Sequence, residues 1–340
     1  TIRLLNSDSE YGNGAGLSRK EIPLLLFWKD NNATGLYLRI KDLRRDYGYT
    51  PSYEVIIDIC INEIMEGQYK KFDPRSIMND YVDEFIRKMR ITGVVSLRGN
   101  GRFIDFNSFE MAKIEYILEK YVNYSNYQSK REFFDYMGSI DTEIVSLTQI
   151  VDDSIVFDAR INTLNQWATE YTKEDIANEL NILSRNGESK NAILRVIDKP
   201  TRFEFLTSIA LKQNFVDLDV RPNYHIDDEG LPTFTASGGV ADIECYDTDC
   251  NSLVEVTLMC ARNQATNEMP AITRHLQEAI EKEPNITQFS ILVAPSIHAD
   301  TKYMAGYSKY QYGINILTLT IAEFIEQICV NRRIVEMLPV

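Results

Sequence analysis

The sequence predicts an α/β protein in which a mixed sheet flanked by helices follows a mainly helical part. Three observations support this class. Strand-like and helix-like segments alternate from about residue 200 onward, which is typical of α/β sandwiches. In that part, apolar runs at 239–246 and 252–259 flank a polar turn and predict a central β-hairpin. Over the first 125 residues, by contrast, apolar side chains recur at helical spacing.

Length and composition exclude several classes of protein. The 340 residues suffice for about two or three domains, and 44% hydrophobic with 25% charged residues is typical of globular chains. We find neither an apolar run of about 18 residues nor a signal peptide, so we expect no membrane span and a cytoplasmic, bacterial-type location. Five cysteines without C-x-x-C spacing favour reduced thiols over a zinc site.

The N-terminal part begins with helices that carry recognisable start signals. Ser52 and Asp73 are good N-cap residues, and Pro74 suits the first position of a helix. Helices are therefore predicted over 52–66 and 74–89. The inward face of the second helix is predicted to consist of Tyr81, Phe85 and Met89.

A two-stranded hairpin is predicted to follow these helices. Asn100-Gly101 lies between apolar runs at 91–97 and 103–106, and this dipeptide is a strong hairpin signal. Helices followed by a hairpin describe a winged helix. Residues 1–125 are therefore predicted to form a winged-helix-like DNA-recognition domain.

Basic side chains cluster on the second helix and at the tip of the predicted wing. Each of the three on the helix is better explained alone as part of a solvated helix face, whereas for the set with the wing arginines contact with DNA phosphates fits equally well. The set comprises Arg87, Lys88, Arg90, Arg98 and Arg102. The net charge of −14 argues mildly against a general DNA-binding protein, because phosphate affinity requires a basic surface, but a basic groove can coexist with an acidic remainder.

Residues 126–199 are predicted to be a helical linker. Thr172 and Asp175 form a helix start signal, and Lys199-Pro200 is interpreted as a break. Residues 200–340 are predicted to form a second domain around the central hairpin. After the hairpin and its following helix, strands are predicted at 289–294 and 314–319, with helices at 301–310 and from Thr320.

Acidic side chains converge at the end of the central hairpin. Because strand side chains alternate between faces, Glu255 and Thr257 share one face, and Asp242 on the partner strand lies beside Glu255. A helix starting at Thr266 or Asn267 would carry Glu268 and His275, seven residues apart and therefore on one face.

Such a set of carboxylates suits a hard cation. Mg²⁺ prefers carboxylate oxygens and leaves other positions for water and phosphate, which is the chemistry of phosphodiester hydrolysis. Asp242, Glu255 and Glu268 are the predicted metal ligands. A charge among the apolar neighbours of Asp242 is costly to bury unless it is paired or bound to metal. Glu268 also has a structural interpretation at a helix N-terminus, as His275 has in a protein core.

Asp242 and Glu255-Val256-Thr257 resemble the Asp…Glu-x-Lys signature of the restriction-enzyme nuclease superfamily, with Thr257 in the place of lysine. With Gln264-x-x-x-Glu268 and Thr273-Arg274-His275, the ordered set resembles the AlwI family of type IIS restriction endonucleases, which includes nicking enzymes. In that family Glu-Val-Thr is usual. The resemblance covers the chain well from about residue 200 and is loose before it.

The resemblance implies a restriction-endonuclease-like core and a Mg²⁺-dependent, site-specific endonuclease that cuts double-stranded DNA outside an asymmetric site. It also implies nicking by a monomer, or a homodimer or second subunit for double-strand cleavage, and more recognition structure ahead of Thr1. It gives catalytic roles to His275, Thr257, Gln264 and an acidic residue of the first core helix, here Glu204, and Arg274 is a further phosphate contact. The pattern Thr201-x-x-Glu204 also fits a helix capping box, which would be a purely structural role for Glu204. For Gln264, binding of water or DNA and the absence of any role in the site fit equally well.

Two other functions fit the residues. A DNA-binding module with a degenerate nuclease core is supported by the missing lysine at Thr257, whereas the intact Asp242, Glu255 and Glu268 speak against it. The second of these functions is a nuclease of the same superfamily without sequence specificity, acting in repair or mobile-element transfer. Discrete cleavage products would exclude both.

Overall fold

The computed structural model describes residues 1–12, 14–30, 32–67, 73–121, 127–139, 141–147 and 151–339. The chain divides into two compact units. The first contains Thr1–Asp153 together with Asp227–Glu229, and the second contains Ser154–Ile226 and Gly230–Val340. Among the described residues, no helix is both long enough and apolar enough to cross a bilayer.

The first unit is mainly helical, as predicted. Its helices are α1 Ile2–Ser7, α2 Ile22–Phe27, α3 Ala33–Tyr47, α4 Tyr53–Asp58, α5 Pro74–Met78, α6 Asp80–Ile91, α7 Met111–Lys120, α8 Lys130–Met137 and α9 Thr142–Ser146. A π-helical segment, Ile59–Ile64, continues α4, and a 3₁₀ turn, Ser108–Glu110, precedes α7. The predicted N-caps are present, since Ser52 accepts a hydrogen bond from Val55 N and Asp73 from Arg75 N.

The predicted hairpin is also present in this unit. Strands β2 Val95–Arg98 and β3 Phe103–Phe106 pair antiparallel, and the short strand β1 Leu17–Ser18 adds to β3 on its other edge. Asn100 and Gly101 both have positive φ, as the tight connection requires. The winged-helix assignment itself stays a prediction.

The prediction that Tyr81, Phe85 and Met89 form the inward face of the second helix was wrong. Tyr81 is 43% exposed, whereas the buried positions of α6 are Val82, Asp83, Ile86 and Arg90. The physical reason is that α6 carries two neighbouring stripes at helical spacing, and the stripe of Val82, Ile86 and Arg90 is buried, whereas Phe85 and Met89 are only half-buried. As a result, one predicted phosphate contact, Arg90, faces the interior.

The second unit has the predicted α/β architecture. Its main sheet has the order β10-β9-β8-β7-β4, with β4 Asp219–Pro222, β7 Ile243–Tyr246, β8 Cys250–Val256, β9 Thr287–Ala294 and β10 Asn315–Thr320. Strand β7 runs antiparallel to β4 and β8, whereas β8, β9 and β10 are mutually parallel. A separate hairpin joins β5 His225–Ile226 to β6 Pro232–Phe234.

Two sets of helices flank the main sheet. One set is α10 Asp153–Glu170, α11 Lys173–Ser184, α12 Lys199–Asn214 and α16 Ile321–Val330, and the other is α13 Arg262–Asn267, α14 Met269–Lys282 and α15 Ala299–Tyr312. Helices α13 to α15 connect the parallel strands, because such strands need crossover connections. Apolar side chains of α14 and α15, including Met269 and Leu276, pack against Leu292 and Ile316 of the sheet. Short 3₁₀ turns lie at Leu194–Val196 and Ile334–Met337.

The observed units meet at Asp153, whereas the sequence placed boundaries near 125 and 200. Helices α10 (from its second residue) and α11, which were assigned to a linker, belong to the second unit because Leu164, Trp167, Ile176 and Leu180 are buried there. Apolar residues recur at the same helical spacing whether an amphipathic helix belongs to a linker or to a domain. Only the packing of the helix shows to which of them it belongs.

Candidate active site

Asp242 and Glu255 lie side by side where β7 and β8 meet. The register pairs Ile243 with Val254, which places Asp242 opposite Glu255 as predicted. Asp242 Oδ2 accepts a hydrogen bond of 2.8 Å from Val256 N, and Glu255 Oε2 accepts one of 3.3 Å from Asp242 N. Each carboxylate is thus oriented by the backbone of the other's strand, so the two side chains are held next to each other.

Glu268 joins the pair from the helical connection. It lies between α13 and α14, where the chain changes direction, and its Oε1 accepts a hydrogen bond of 2.8 Å from Thr257 Oγ1. The predicted helix start at Thr266 or Asn267 was wrong, since α13 begins earlier and α14 begins directly after Glu268. The predicted convergence of this glutamate on the end of β8 is nevertheless present.

His275 also contacts the acidic pair. Its Nδ1 lies 3.0 Å from Glu255 Oε1, and the imidazole is 8% exposed. A protonated Nδ1 donates to the carboxylate, which leaves Nε2 as an acceptor. Among the described residues Nε2 has no hydrogen-bond partner. The imidazole is therefore held by Glu255 with one nitrogen available.

Glu204 comes from the helix that precedes the sheet. The predicted capping box was wrong, because α12 begins at Lys199 after the N-cap position Asp198, so that Thr201 lies inside the helix. The carboxylate of Glu204 instead accepts a hydrogen bond of 3.0 Å from Ala236 N, and its side chain is buried. With the capping role removed, its burial beside the other acids has no local structural explanation.

The electrostatics of the cluster reflect like charges held out of water. Burial raises the pKa of Glu204 to about 8, with a further contribution from Glu255. Burial, reinforced by Glu204 and Glu255, raises the pKa of Asp242 well above its usual range. The pKa of Glu268 is also raised, mainly by burial. Among the described residues no lysine or arginine forms an ion pair with any of the four acids, and the ionic contact that the cluster does have is that of His275 with Glu255.

Gln264 is fully buried and has a structural environment. Its Nε2 donates to the carbonyl oxygens of Met259 and Ser296, and its Oε1 accepts from His298 N and Thr301 Oγ1. All amide groups are thereby used inside the protein, so Gln264 fixes the start of α13 against the β9–α15 connection and is not presented to a ligand.

A second group of possible metal ligands lies in the β7–β8 turn. Ligand atoms of Asp247, Asp249 and Cys250 lie within 4.8 Å of one another. However, Arg333 forms ion pairs with both carboxylates, one of them at 3.1 Å, and supplies the positive charge that a cation would bring. We therefore assign this group to structural ion pairing.

Two of the predicted DNA contacts lie in ion pairs instead. Arg90 is 1% exposed, and its Nη1 is 2.6 Å from Asp227 Oδ2. Arg98 has both terminal nitrogens on Asp228, at 2.7 and 2.8 Å, and a further contact with Glu229 at 3.3 Å. Phosphate contact by Arg90 is therefore not supported, because the guanidinium is inside its unit, and Arg98 would have to leave three carboxylate contacts.

The other predicted DNA contacts remain accessible to different degrees. Arg102 and Arg274 are exposed, the latter loosely paired with Glu278 at 3.9 Å. Arg87 and Lys88 share Glu84 as a partner, and Lys88 is the more exposed of the two. Exposed pairs of this kind are weak and exchange readily with a phosphate.

Sequence reasoning missed Asn223. This residue follows β4, and its backbone N–H donates to Asp242 O at 2.9 Å while its Nδ2 donates to Ala241 O at 2.9 Å. It thereby fixes the backbone that carries Asp242. An asparagine after a proline gives only a turn signal in the sequence, and the role depends on β4 lying beside β7.

Comparisons with known proteins found a family match and similar solved structures. A sequence model of the family described as AlwI restriction endonuclease matches residues 29–151 and 139–327. Among solved structures, the small subunit (R.BspD6I2) of the heterodimeric restriction endonuclease R.BspD6I is 24% identical, with a TM-score of 0.39, over 46% of this chain and 76% of that one. Restriction endonuclease FokI is 10% identical, with a TM-score of 0.35, over 83% of this chain and 43% of that one. No curated protein matches the chain.

Proposed function

Because the chain belongs to the AlwI restriction endonuclease family, we propose that it is a type IIS-like site-specific endonuclease of double-stranded DNA that requires Mg²⁺. The observation that carries the proposal is that Asp242, Glu255 and Glu268 lie close enough for their charges to act on one another, without a lysine or arginine partner among the described residues. Cleavage outside an asymmetric recognition site is part of the proposal, and the family match supports it.

The donor set fits a divalent cation. Carboxylate oxygens are the ligands that Mg²⁺ prefers, and burial together with the neighbouring acids Glu204 and Glu255 raises the pKa of Asp242, an effect that a bound cation would oppose. Asp242 and Glu255 would hold the ion, with Glu268 and Glu204 completing the site. When bound, Mg²⁺ supplies Lewis-acid stabilisation of the charge that develops on the scissile phosphate.

His275 is proposed to accept the proton of the attacking water. Its Nδ1 contacts Glu255, and this contact holds the ring and leaves Nε2 to take a proton. Arg274, the preceding residue, is exposed and is proposed to bind phosphate. These two residues would together supply the proton acceptor and part of the positive charge that a lysine at position 257 would otherwise provide.

DNA contact by the first unit is proposed to involve Lys88 and Arg102, whose side chains are exposed. One set of active-site residues acts on one strand. We therefore propose that the monomer nicks, and that double-strand cleavage requires a homodimer or a second subunit. In that case the ratio of linear to nicked DNA rises with protein concentration.

The direct test is conversion of supercoiled plasmid in Mg²⁺, with EDTA and Asp242→Ala as negative controls. Asp249→Ala is the matched control, because Asp249 is an acid of the same hairpin whose carboxylate is paired with Arg333. We expect discrete nicked or linear products from the wild type and from Asp249→Ala, and no product from the other two.

Other outcomes would change the proposal. A smear that disappears in both negative controls would keep the metal chemistry and reject site specificity for this chain. Supercoiled DNA that persists with a folded wild-type protein would reject cleavage. Cleavage lost in Asp249→Ala but kept in Asp242→Ala would move the metal site to the β7–β8 turn.

A further inference from the structure

Thr257 makes a pair of hydrogen bonds that a merely strand-forming residue would not need. It follows β8, and its backbone N–H donates to Val293 O at 3.0 Å, which fixes its main chain on β9. Its Oγ1 accepts a hydrogen bond of 3.1 Å from Met259 N and lies 2.8 Å from Glu268 Oε1. Because Met259 N–H occupies the acceptor side of the hydroxyl, the hydroxyl proton is directed to the carboxylate.

The orientation of the Glu268 carboxylate depends on this hydrogen bond from Thr257. It lies at the junction of α13 and α14, and its carboxylate is only partly enclosed by its own helices. Among the described residues, Thr257 is the one side chain that donates to it, and Oε2 has no hydrogen-bond donor. A bond to Oε1 from a hydroxyl fixed on the sheet therefore sets the direction of Oε2.

We propose that Thr257 is a positioning residue that orients the carboxylate of Glu268 toward the divalent cation. A neutral hydroxyl at this position cannot stabilise charge on the scissile phosphate as a lysine would. Here the hydroxyl already donates its hydrogen bond to the carboxylate of Glu268. The inference rests on the proposed metal-dependent function, and it explains how an uncharged residue serves a nuclease site. Orienting partners of metal-binding carboxylates contribute strongly to metal affinity.

The test compares Thr257→Val, which keeps the shape and removes the hydroxyl, with Thr257→Ser, which keeps the hydroxyl. Binding of Mn²⁺ alone to the full chain, without DNA, is measured by electron paramagnetic resonance. We expect Thr257→Val to weaken Mn²⁺ binding about 10-fold or more, and Thr257→Ser to stay near the wild type. The Mg²⁺ concentration for half-maximal plasmid nicking should rise in parallel in Thr257→Val.

A Glu268→Gln background separates positioning from a loss of packing. If the hydroxyl acts through Glu268, Thr257→Val causes no further loss of Mn²⁺ affinity in that background. Equal Mn²⁺ affinity of the wild type and a folded Thr257→Val would overturn the role, as would an undiminished loss in the Glu268→Gln background. Asp242→Asn reports on the proposed function by itself, because unchanged Mn²⁺ binding in that variant rejects the metal site as a whole.

Discussion

The two units treat buried carboxylates in opposite ways. In the first unit, buried acids are matched with arginines. Glu21 lies 2.7 Å from Arg44, and Asp227 lies 2.6 Å from Arg90, with each of these four side chains at most 1% exposed. Burial alone would raise the pKa of Asp228, but hydrogen bonds from Arg98, Ser108 and Ser96 outweigh it and lower that pKa to about 2.

In the second unit, Glu204 and Glu255 are buried and Asp242 and Glu268 are half-buried, and none of the four has a lysine or arginine partner among the described residues. Burial therefore dominates, and the pKa of Glu204 rises to about 8. The first unit thus neutralises Glu21 and Asp227 with arginines, whereas the second unit leaves its group of acids without such partners. A group of this kind is what the proposed cation site requires.

The largest expected effect is on activity. Asp242→Asn removes a charge from the cation site and keeps the shape, so we expect plasmid cleavage to fall about a thousand-fold or more. Initial rates in saturating Mg²⁺ measure this. Asp249→Asn, in the Arg333 ion pair, should stay near the wild-type rate. Similar losses in both variants would remove the distinction between paired and unpaired acids.

The same comparison predicts opposite effects on stability. Asp227→Ala leaves the guanidinium of Arg90 buried without its carboxylate, and we expect a loss of about 3–5 kcal/mol in the free energy of unfolding. Asp242→Asn should instead leave the metal-free protein as stable as the wild type or more stable, because it removes like-charge repulsion. Urea denaturation with EDTA measures both, and equal destabilisation would contradict the comparison.

The raised pKa of Glu204 predicts how stability depends on pH without metal. Its carboxyl binds a proton more tightly in the folded chain, where the pKa is about 8, than in the unfolded chain, where it is near 4.5. The stability that this group contributes is therefore complete below about pH 4.5 and is lost as pH rises through about 8, by on the order of a few kcal/mol. Asp242, whose pKa is raised as well, acts in the same direction.

Melting temperatures in EDTA should accordingly fall between pH 6 and pH 9, and Glu204→Gln should flatten the profile. Saturating Mg²⁺ should also restore stability on the alkaline side. Asp228 of the first unit does not contribute to this decline, since its lowered pKa of about 2 keeps it charged throughout that range. A decline that persists unchanged in Glu204→Gln would assign it to other groups.

The smallest expected effect concerns backbone strain near the site. Ala261 precedes α13 with φ 60° and ψ −155°, a region that only glycine occupies without strain. Ala261→Gly should therefore stabilise the protein by roughly 1 kcal/mol, after the entropy of an added glycine is subtracted. Thermal denaturation measures this, and a lower melting temperature would show that the conformation carries no strain.

Much of the fold was predictable because its signals are local. The central hairpin, the strand that carries Glu255 and the α/β class follow from alternation and turn residues, and all are present. Asp242 beside Glu255 was predictable for the same reason, since a hairpin brings opposite residues together. The family resemblance rested on these positions and on Glu268 and His275, and the family is confirmed.

The remainder depended on packing. Arg90 and an exposed arginine have the same sequence signal, and Arg90 is inward only because the face of α6 that it shares with Val82 and Ile86 is the one that packs. The sequence of Glu204 fits a capping box, but the helix begins two residues before Thr201. Asn223 contacts Asp242 only because β4 lies beside β7. Each of these depends on where an element begins or which element lies next to it.

The residues of the proposed site lie close together along the chain as well as in the fold. The contacts within the site join residues that are 11 positions apart, for Thr257 and Glu268, to 32 positions apart, for Glu204 and Ala236. All residues of the proposed site therefore lie in one segment of the chain, from Glu204 to His275. The proposed chemistry would thus be carried by one continuous piece of chain.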